Sequence, residues 1–163
     1  MRRSRLAMLT TVAVGAVAAL TLNAVAASGD DGSKHFKIFE HQTEFGFHAA
    51  NPNTISVADT LGISSDLFTN ASKETKVGHG DVECVVSSVA RPNGPEGECS
   101  FSVMLAGGEI STTGLVSFAA ATTPGATFSI PVVGGTGKYR GAKGELSVKV
   151  INQNDFWDTF SLS

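Results

Sequence analysis

The chain has 163 residues, with 12 Lys and Arg against 15 Asp and Glu, so its formal net charge is −3. An acidic chain without a basic block is a poor candidate for binding nucleic acid or an anionic membrane surface. Its length suits one domain with a hydrophobic core.

The first 27 residues have the order of a secretory signal peptide. Three arginines precede an apolar stretch from Leu6 to Leu22, and small residues follow it up to Ala27. The apolar stretch is shorter than the roughly 20 residues of a membrane-spanning helix, and no basic stop-transfer cluster follows it. The sequence therefore predicts cleavage near Ala26 or Ala27 and a secreted, extracellular protein without a membrane anchor. A flexible leader is expected over 28–35, before a single domain over 36–163.

From residue 36 onward, short segments rich in Val, Ile, Phe and Thr alternate with turn residues, and no long stretch keeps a helical period. Gly107-Gly108 and Pro124-Gly125 predict turns, so consecutive strands should pair antiparallel. Leu67-Phe68 is read as an additional short edge piece. The predicted strands cover residues 36–45, 54–58, 77–90, 98–105, 109–118, 127–132, 145–151 and 157–162.

The periodicity leaves two all-β architectures open. About eight such strands can close into an antiparallel barrel whose interior holds side chains or one small ligand. A two-sheet sandwich fits the alternation nearly as well.

Two cysteines, Cys84 and Cys99, occur in a chain that is predicted to be exported. Exported proteins form disulfides, so one bridge is expected, with two reduced thiols as the alternative. Spacing alone cannot show that the two Cα atoms come within bridging distance.

The segment from Ile130 to Glu145 distinguishes the two architectures. It contains a strand, then Gly134-Gly135-Thr136-Gly137, the aromatic Tyr139, and Ala142 before a basic residue and a glycine. This segment resembles the signature of plant dirigent proteins and allene oxide cyclases. The resemblance implies an eight-stranded antiparallel β-barrel with a hydrophobic cavity and, as in the plant families, a homotrimer.

Further matches follow in the same order, so the resemblance covers roughly residues 36–163. The matching stretches are Ala58-Asp59, Asp66-Leu67-Phe68, Val77-Gly78 with Gly80 and Cys84, Gly108-Glu109-Ile110 with Gly114, and Phe156–Leu162.

The resemblance also implies a site. Glu40 resembles the first-strand Glu that allene oxide cyclases place in an apolar cavity, and Gln42 falls where they carry an amide. Because neighbours on a strand alternate faces, Glu40 should share its side with Ile38 and Gln42. Glu40 is therefore the candidate catalytic residue, and a solvated outward-facing Glu is the alternative. The remaining ligand-binding candidates are Ile38, Gln42, Ser65, Cys84 and Val116.

The chain also departs from the cyclase pattern. Ser65 replaces an asparagine, and Leu115-Val116 stands where the cyclases have an aromatic position. A complete cyclase site is thus not carried over. Dirigent proteins place aspartates in their pocket, for which Asp59 or Asp66 are candidates, although both also suit turns.

Other chemistries find little support. Val132 stands where a phosphate loop needs its first glycine, and Tyr139 where Ser or Thr should follow Lys138. Arg140 breaks a dinucleotide fingerprint in the same segment. The four histidines lack the spacing of a metal site, and no Gly-x-Ser-x-Gly elbow occurs. No cofactor and no metal are expected.

The leading interpretation is a secreted barrel that binds one small hydrophobic or phenolic molecule and steers its cyclisation or stereoselective coupling without a cofactor. If it is an enzyme, it is a cyclase or isomerase that resembles allene oxide cyclase. The alternatives are a non-catalytic extracellular carrier of a small ligand and a structural protein with a filled barrel. The lining of the barrel interior distinguishes them.

Overall fold

The computed structural model describes residues 33–163, which form a closed antiparallel barrel of eight strands. The predicted signal peptide and most of the predicted leader lie outside the described residues. Within the described part, no helix is long and apolar enough to cross a membrane. The elements are β1 Lys34–His48, β2 Thr60–Phe68, β3 Lys76–Ser88, β4 Glu96–Leu105, β5 Gly108–Ser117, α1 Phe118–Thr122, β6 Thr127–Gly135, β7 Gly144–Val150 and β8 Asp155–Leu162, with a 3-10 turn at Gly137–Tyr139.

Each strand pairs with the next along the chain, and the barrel closes where β1 pairs with β8. The first strand makes this possible because it is long. Its first half pairs with β8 from Lys34 to His41, and its second half pairs with β2 up to His48. Closure removes free sheet edges and confirms the predicted barrel over the sandwich.

The second strand was predicted in the wrong place. Residues 54–58 form a loop, and the strand runs from Thr60 to Phe68, so Leu67-Phe68 is its end rather than a separate edge piece. Ala58 has a positive φ of 73°, which no strand allows. The buried Asp59 then holds the loop by accepting hydrogen bonds from the backbone N–H groups of Ala50 and Ser56.

One half of the barrel is filled with side chains. The filled half lies towards the connections β2–β3, β4–β5 and β6–β7, where large apolar side chains are almost fully buried. Phe36 stacks on Phe160 there, with ring centroids 4.8 Å apart. The fully buried apolar residues at this end include Leu67, Ile110, Leu146 and Phe160.

The glycine-rich segment that carries the family resemblance also lies at the filled end. Lys138 N donates to Gly107 O at 2.8 Å, and Thr136 N donates to Glu109 O at 2.8 Å. A Cβ on Gly137, whose φ is +56°, would lie 2.2 Å from Gly107 O. The segment therefore packs one connection against another and does not reach the open half of the barrel.

Candidate functional site

The other half of the barrel encloses a cavity of about 640 Å³. It lies towards the loop before β2, the helix α1 and the turn before β8. Its volume falls within the usual range for small-ligand sites. The lining is mainly aromatic and aliphatic, and it includes Phe45, Phe47, Phe101, Phe118, Phe128, Phe156, Ile55, Leu61, Ile63, Val82, Val116, Ala121 and Val148, with the polar Glu40, Gln42, Thr122, Gln153 and Asn154 and the two cysteines.

The cavity has a mouth and a floor. At the mouth, Phe45 is 60% exposed and Ile55 is 45% exposed, so these large apolar side chains meet solvent. At the floor, Glu40, Val82 and Phe101 line both the main cavity and a second void of only about 10 Å³. Leu67 and Val103 of the packed core lie on the far side of that void. The floor is thus the boundary between the open and filled halves.

A β-bulge in β1 sets which side chains enter the cavity. The pairing with β2 shifts register between Gln42 and Glu44. Before the bulge, Glu40 and Gln42 point inward; after it, Phe45 and Phe47 line the cavity. An extra residue at a bulge re-aims the side chains that follow it. One strand therefore supplies both the charged floor and part of the apolar mouth.

Glu40 is the charged residue of the cavity lining. Among residues 33–163, no other side chain of the lining is ionisable, because both cysteines are in the disulfide. Its side chain is 8% exposed. The hydroxyl of Ser65 on β2 donates to Glu40 Oε1 at 2.6 Å. Ser65 is itself buried and contacts Glu40 rather than lining the cavity.

Asp158 is a buried residue of the floor that sequence reasoning missed. It is 2% exposed and borders the small void beside Glu40. Burial, then the charge of Glu40 and a hydrogen bond with it, raise the pKa of Asp158 well above its ordinary value. The signal was present in the period-two pattern of β8, where Phe156, Asp158, Phe160 and Leu162 share one face.

The other predicted ligand-binding residues divide into two groups. Gln42, Cys84 and Val116 line the cavity. Ile38 lies on the same inward face as Glu40, two residues earlier on β1. It packs in the core of the filled half and does not line the cavity. The structure thus brings together Glu40, Gln42, Ser65, Cys84 and Val116 around the open half and leaves Ile38 behind the floor.

Cys84 and Cys99 form the predicted disulfide. They are direct partners on β3 and β4, with Cα atoms 4.1 Å apart. Both cysteines line the cavity wall. The bridge therefore fixes the two strands at the cavity itself.

The two aspartates considered as dirigent-like pocket residues have other roles. Asp59 holds the loop before β2, and Asp66 points away from the interior and forms an ion pair with Lys76. Neither borders the cavity. Among residues 33–163, no group of three or more His, Cys, Asp or Glu side chains is arranged to hold a metal ion.

Comparison with known proteins identifies relatives of the whole barrel. Residues 39–161 match the family model described as "Allene oxide cyclase barrel like domain". No curated protein sequence is significantly similar to the chain.

Several solved structures share the fold. A pyocyanin demethylase is 23% identical with a TM-score of 0.65, and the match covers 78% of this chain and 99% of that one. AbnU, an exo-specific intermolecular Diels-Alderase, is 20% identical with a TM-score of 0.64, covering 80% and 97%. The pterocarpan synthase dirigent protein GePTS1 is 15% identical with a TM-score of 0.58, covering 80% and 82%. At these identities the likeness establishes the fold alone.

Proposed function

Because the chain belongs to the family of allene-oxide-cyclase-like barrel domains, we propose that its cavity binds one small hydrophobic or phenolic molecule and steers its cyclisation or stereoselective coupling. The reaction uses no cofactor in this proposal. The protein would then be an isomerase or cyclase that works mainly by restricting the conformation of its substrate.

The position of Glu40 carries the proposal. A buried carboxylate at the floor of an apolar cavity is not expected in a passive container, because burying a charge is costly and such groups cluster at functional sites. In an apolar site such a carboxylate stabilises positive charge or holds a hydroxyl proton far more strongly than it would in water. Glu40 is accordingly the proposed catalytic residue, with Gln42, Cys84 and Val116 as ligand contacts and Ser65 holding Glu40.

The names of the structural neighbours support a small organic substrate. They describe a demethylase of pyocyanin, a Diels-Alderase and a pterocarpan synthase of the dirigent type. Different reactions on one barrel fit the general rule that function lies in the site rather than in the fold. The substrate of this chain therefore has to be inferred from the residues that line its own cavity.

Export is a further part of the proposal. The basic, apolar and small-residue order of residues 1–27 supports cleavage near Ala26 or Ala27. The disulfide between Cys84 and Cys99 is consistent with an oxidising compartment. N-terminal sequencing of the protein from the culture supernatant should begin just after one of these alanines, whereas a product that begins at Met1 would refute export.

The alternative is a non-catalytic extracellular carrier. It is favoured by the exposed apolar mouth at Phe45 and Ile55, which suits uptake of an apolar compound from solvent. A carrier and an enzyme differ in the compound that is recovered from the protein. A carrier releases the compound it took up, whereas a cyclisation yields an isomer of identical mass.

The deciding experiment incubates the purified protein with the small-molecule extract of its own culture and separates the products by chromatography and mass spectrometry. The proposal predicts that one compound disappears and an isomer of identical mass appears. If the reaction is instead the coupling of two phenolic molecules, the product appears only after a one-electron oxidant is added, because forming the new bond removes one electron and one proton from each molecule. Glu40→Gln should lose this conversion, and Glu44→Gln, which changes an exposed residue of the same strand, should keep it. Retention of one unaltered compound would favour the carrier. Native mass spectrometry of the same sample counts subunits, for which family resemblance suggests a homotrimer.

A further inference from the structure

The proposed function leaves a second carboxyl group at the floor without a role. Asp158 pairs with Ile38 across β8 and β1, so it is the diagonal neighbour of Glu40 on the inward face. A hydrogen bond joins Asp158 to Glu40, and Ser65 donates a second one to Glu40. Side chains from three adjacent strands therefore meet at one point of an otherwise apolar interior.

The negative charge of Glu40 disfavours ionisation of Asp158, because like charges away from water repel strongly. Asp158 is the more deeply buried of the two, and its Oδ1 has no hydrogen-bond partner among residues 33–163. Glu40 faces the larger cavity and accepts the hydroxyl of Ser65. The charge is thus better accommodated on Glu40 and the proton on Asp158.

We propose that Glu40 and Asp158 form one proton-sharing pair, in which Asp158 holds the proton and Glu40 presents a hydrogen-bond acceptor to a neutral or cationic aromatic ligand that carries a hydroxyl or amine group. The proposal rests on the ligand-binding function above and names the ligand class for it. Asp158 acts through Glu40 and is a positioning residue.

The cavity lining supports this ligand class. Six phenylalanines line the cavity and offer flat apolar surfaces to a ring system. Glu40 is the charged group they surround, so a ligand carboxylate at the floor would face a like charge in a low dielectric. A hydroxyl or amine donor would instead meet the acceptor oxygens of Glu40 that Ser65 and Asp158 leave available.

Apart from the pair itself and Asp81, the described residues that border the small void carry no ionisable side chain. The inward residues nearest to the floor on β2, β3 and β7 are Ser65, Val82 and Val148, none of which titrates. Asp81 on β3 borders the small void, but its side chain is exposed and accepts a hydrogen bond from Ser64 on the outer surface. The charge of Glu40 is therefore the charge that Asp158 faces at the floor.

Infrared spectroscopy of the purified protein tests the shared proton without any ligand. At neutral pH the wild type should show the carbonyl band of a protonated carboxylic acid, and Asp158→Asn should lack it. Glu40→Gln should keep the band. As the pH is raised, however, the band should disappear at a lower pH than in the wild type, because the negative charge of Glu40 no longer disfavours ionisation of Asp158. Asp81→Asn should leave the band unchanged. A wild type without the band, or an Asp158→Asn variant with it, would overturn the pair.

Three naphthalene probes of similar size test the ligand class. Calorimetry should show that naphthalene-2-methanol binds at least about tenfold more tightly than 2-methoxynaphthalene or 2-naphthoate, since a hydrogen bond to a charged group contributes that much or more. Glu40→Gln should reduce both differences. Equal affinity of the wild type for all three would overturn the acceptor role of Glu40. If no probe binds although the infrared band is present, the ligand-binding function fails and the proton-sharing pair stands.

Discussion

Cys84 and Cys99 face each other across β3 and β4, with their side chains in the cavity wall. The loop that the disulfide closes spans 15 residues, for which the chain-entropy model gives about 3 kcal/mol. We expect Cys84→Ala combined with Cys99→Ala to lower the free energy of unfolding by about that amount. Denaturant unfolding measures it. Reductant should destabilise the wild type similarly and leave the double variant unchanged; a wild type that is insensitive to reductant would contradict the assignment.

Glu40 is the residue on which ligand affinity should depend most. Glu40→Gln keeps the shape of the side chain and removes its charge, so the fold should survive because Gln can still accept a hydrogen bond from Ser65. Affinity for the natural ligand should fall by about 1 to 3 kcal/mol when a charge-assisted hydrogen bond is lost. Calorimetry with the ligand recovered from the culture measures this. Glu44→Gln is the control, and equal affinities of the two variants would remove Glu40 from the site.

At the level of single residues, the inward orientation of Glu40 was predicted from the family resemblance together with alternation along its strand. The disulfide was predicted because two cysteines occur in a chain that is expected to be exported, and its geometry depends on the register between two strands. The period-two pattern of β8 indicates that Asp158 shares a face with Phe156 and Phe160. That Asp158 lies beside Glu40 could not be predicted, because it depends on β8 closing against β1, at opposite ends of the domain.

The glycine-rich segment from Gly134 to Gly144, which runs from the end of β6 to the start of β7, stabilises the filled end of the barrel. Gly137→Ala should lower the free energy of unfolding by about 1 to 3 kcal/mol, because the left-handed backbone is strained for any residue with a Cβ. The added Cβ would also collide with Gly107 O, at 2.2 Å. Gly134→Ala in the same segment should change stability by less than about 0.5 kcal/mol, since nothing lies within 4 Å of its Cβ position. Equal losses of stability for Gly137→Ala and Gly134→Ala in thermal unfolding would contradict this prediction.

The start of β8 is held by a polar cluster on the outer wall. Asp155 Oδ1 lies 2.7 Å from His41 Nδ1 and 3.0 Å from Lys73 Nζ. Burial opposes ionisation of Asp155, but hydrogen bonds from Asn152, Lys73 and His41 and the charge of Lys73 outweigh it and lower its pKa to about 2.

The lowered pKa of Asp155 predicts a specific pH dependence. The ionised group stabilises the fold above its ordinary pKa of 3.8, and this contribution is lost as the pH falls through about 2. Asp155→Asn should therefore be less stable than the wild type near neutral pH, by about 1 kcal/mol or less. The difference should shrink as the pH falls from about 4 towards 2. Asp81→Asn serves as the control in denaturant unfolding at each pH, and a pH-independent difference for Asp155→Asn would refute the prediction.

Strand boundaries were predicted best where turn residues flank an uninterrupted alternation, as in β4 and β5. The second strand was misplaced because Gly62, Ser64, Ser65 and Asp66 make it look polar, whereas the loop before it carries Ile55 and Val57. Burial of Ser65 depends on Glu40 of another strand. The bulge in β1 is a register shift against β2 between Gln42 and Glu44, and it was not predicted from the sequence.

For the whole molecule, the alternation of apolar residues limited the fold to a barrel or a sandwich, and the glycine-rich segment favoured the barrel. The length of β1, which pairs with both β2 and β8, closes it. The division into a filled and an open half could not be predicted, because it depends on which inward side chains meet across the interior. The cavity follows from that division.

In the proposed function, the open half of the barrel holds one small molecule. Native mass spectrometry of the protein from its own culture supernatant tests it most directly, with two variants of adjacent residues on β5. Val116 lines the cavity, whereas Leu115 is exposed on the outer surface. The wild type and Leu115→Trp should each carry one small molecule per chain that is released on denaturation, and Val116→Trp should lose most of it. The proposed function would be refuted if the wild type shows only the bare polypeptide mass even after incubation with culture extract. Equal retention of the small molecule by both variants would also refute it.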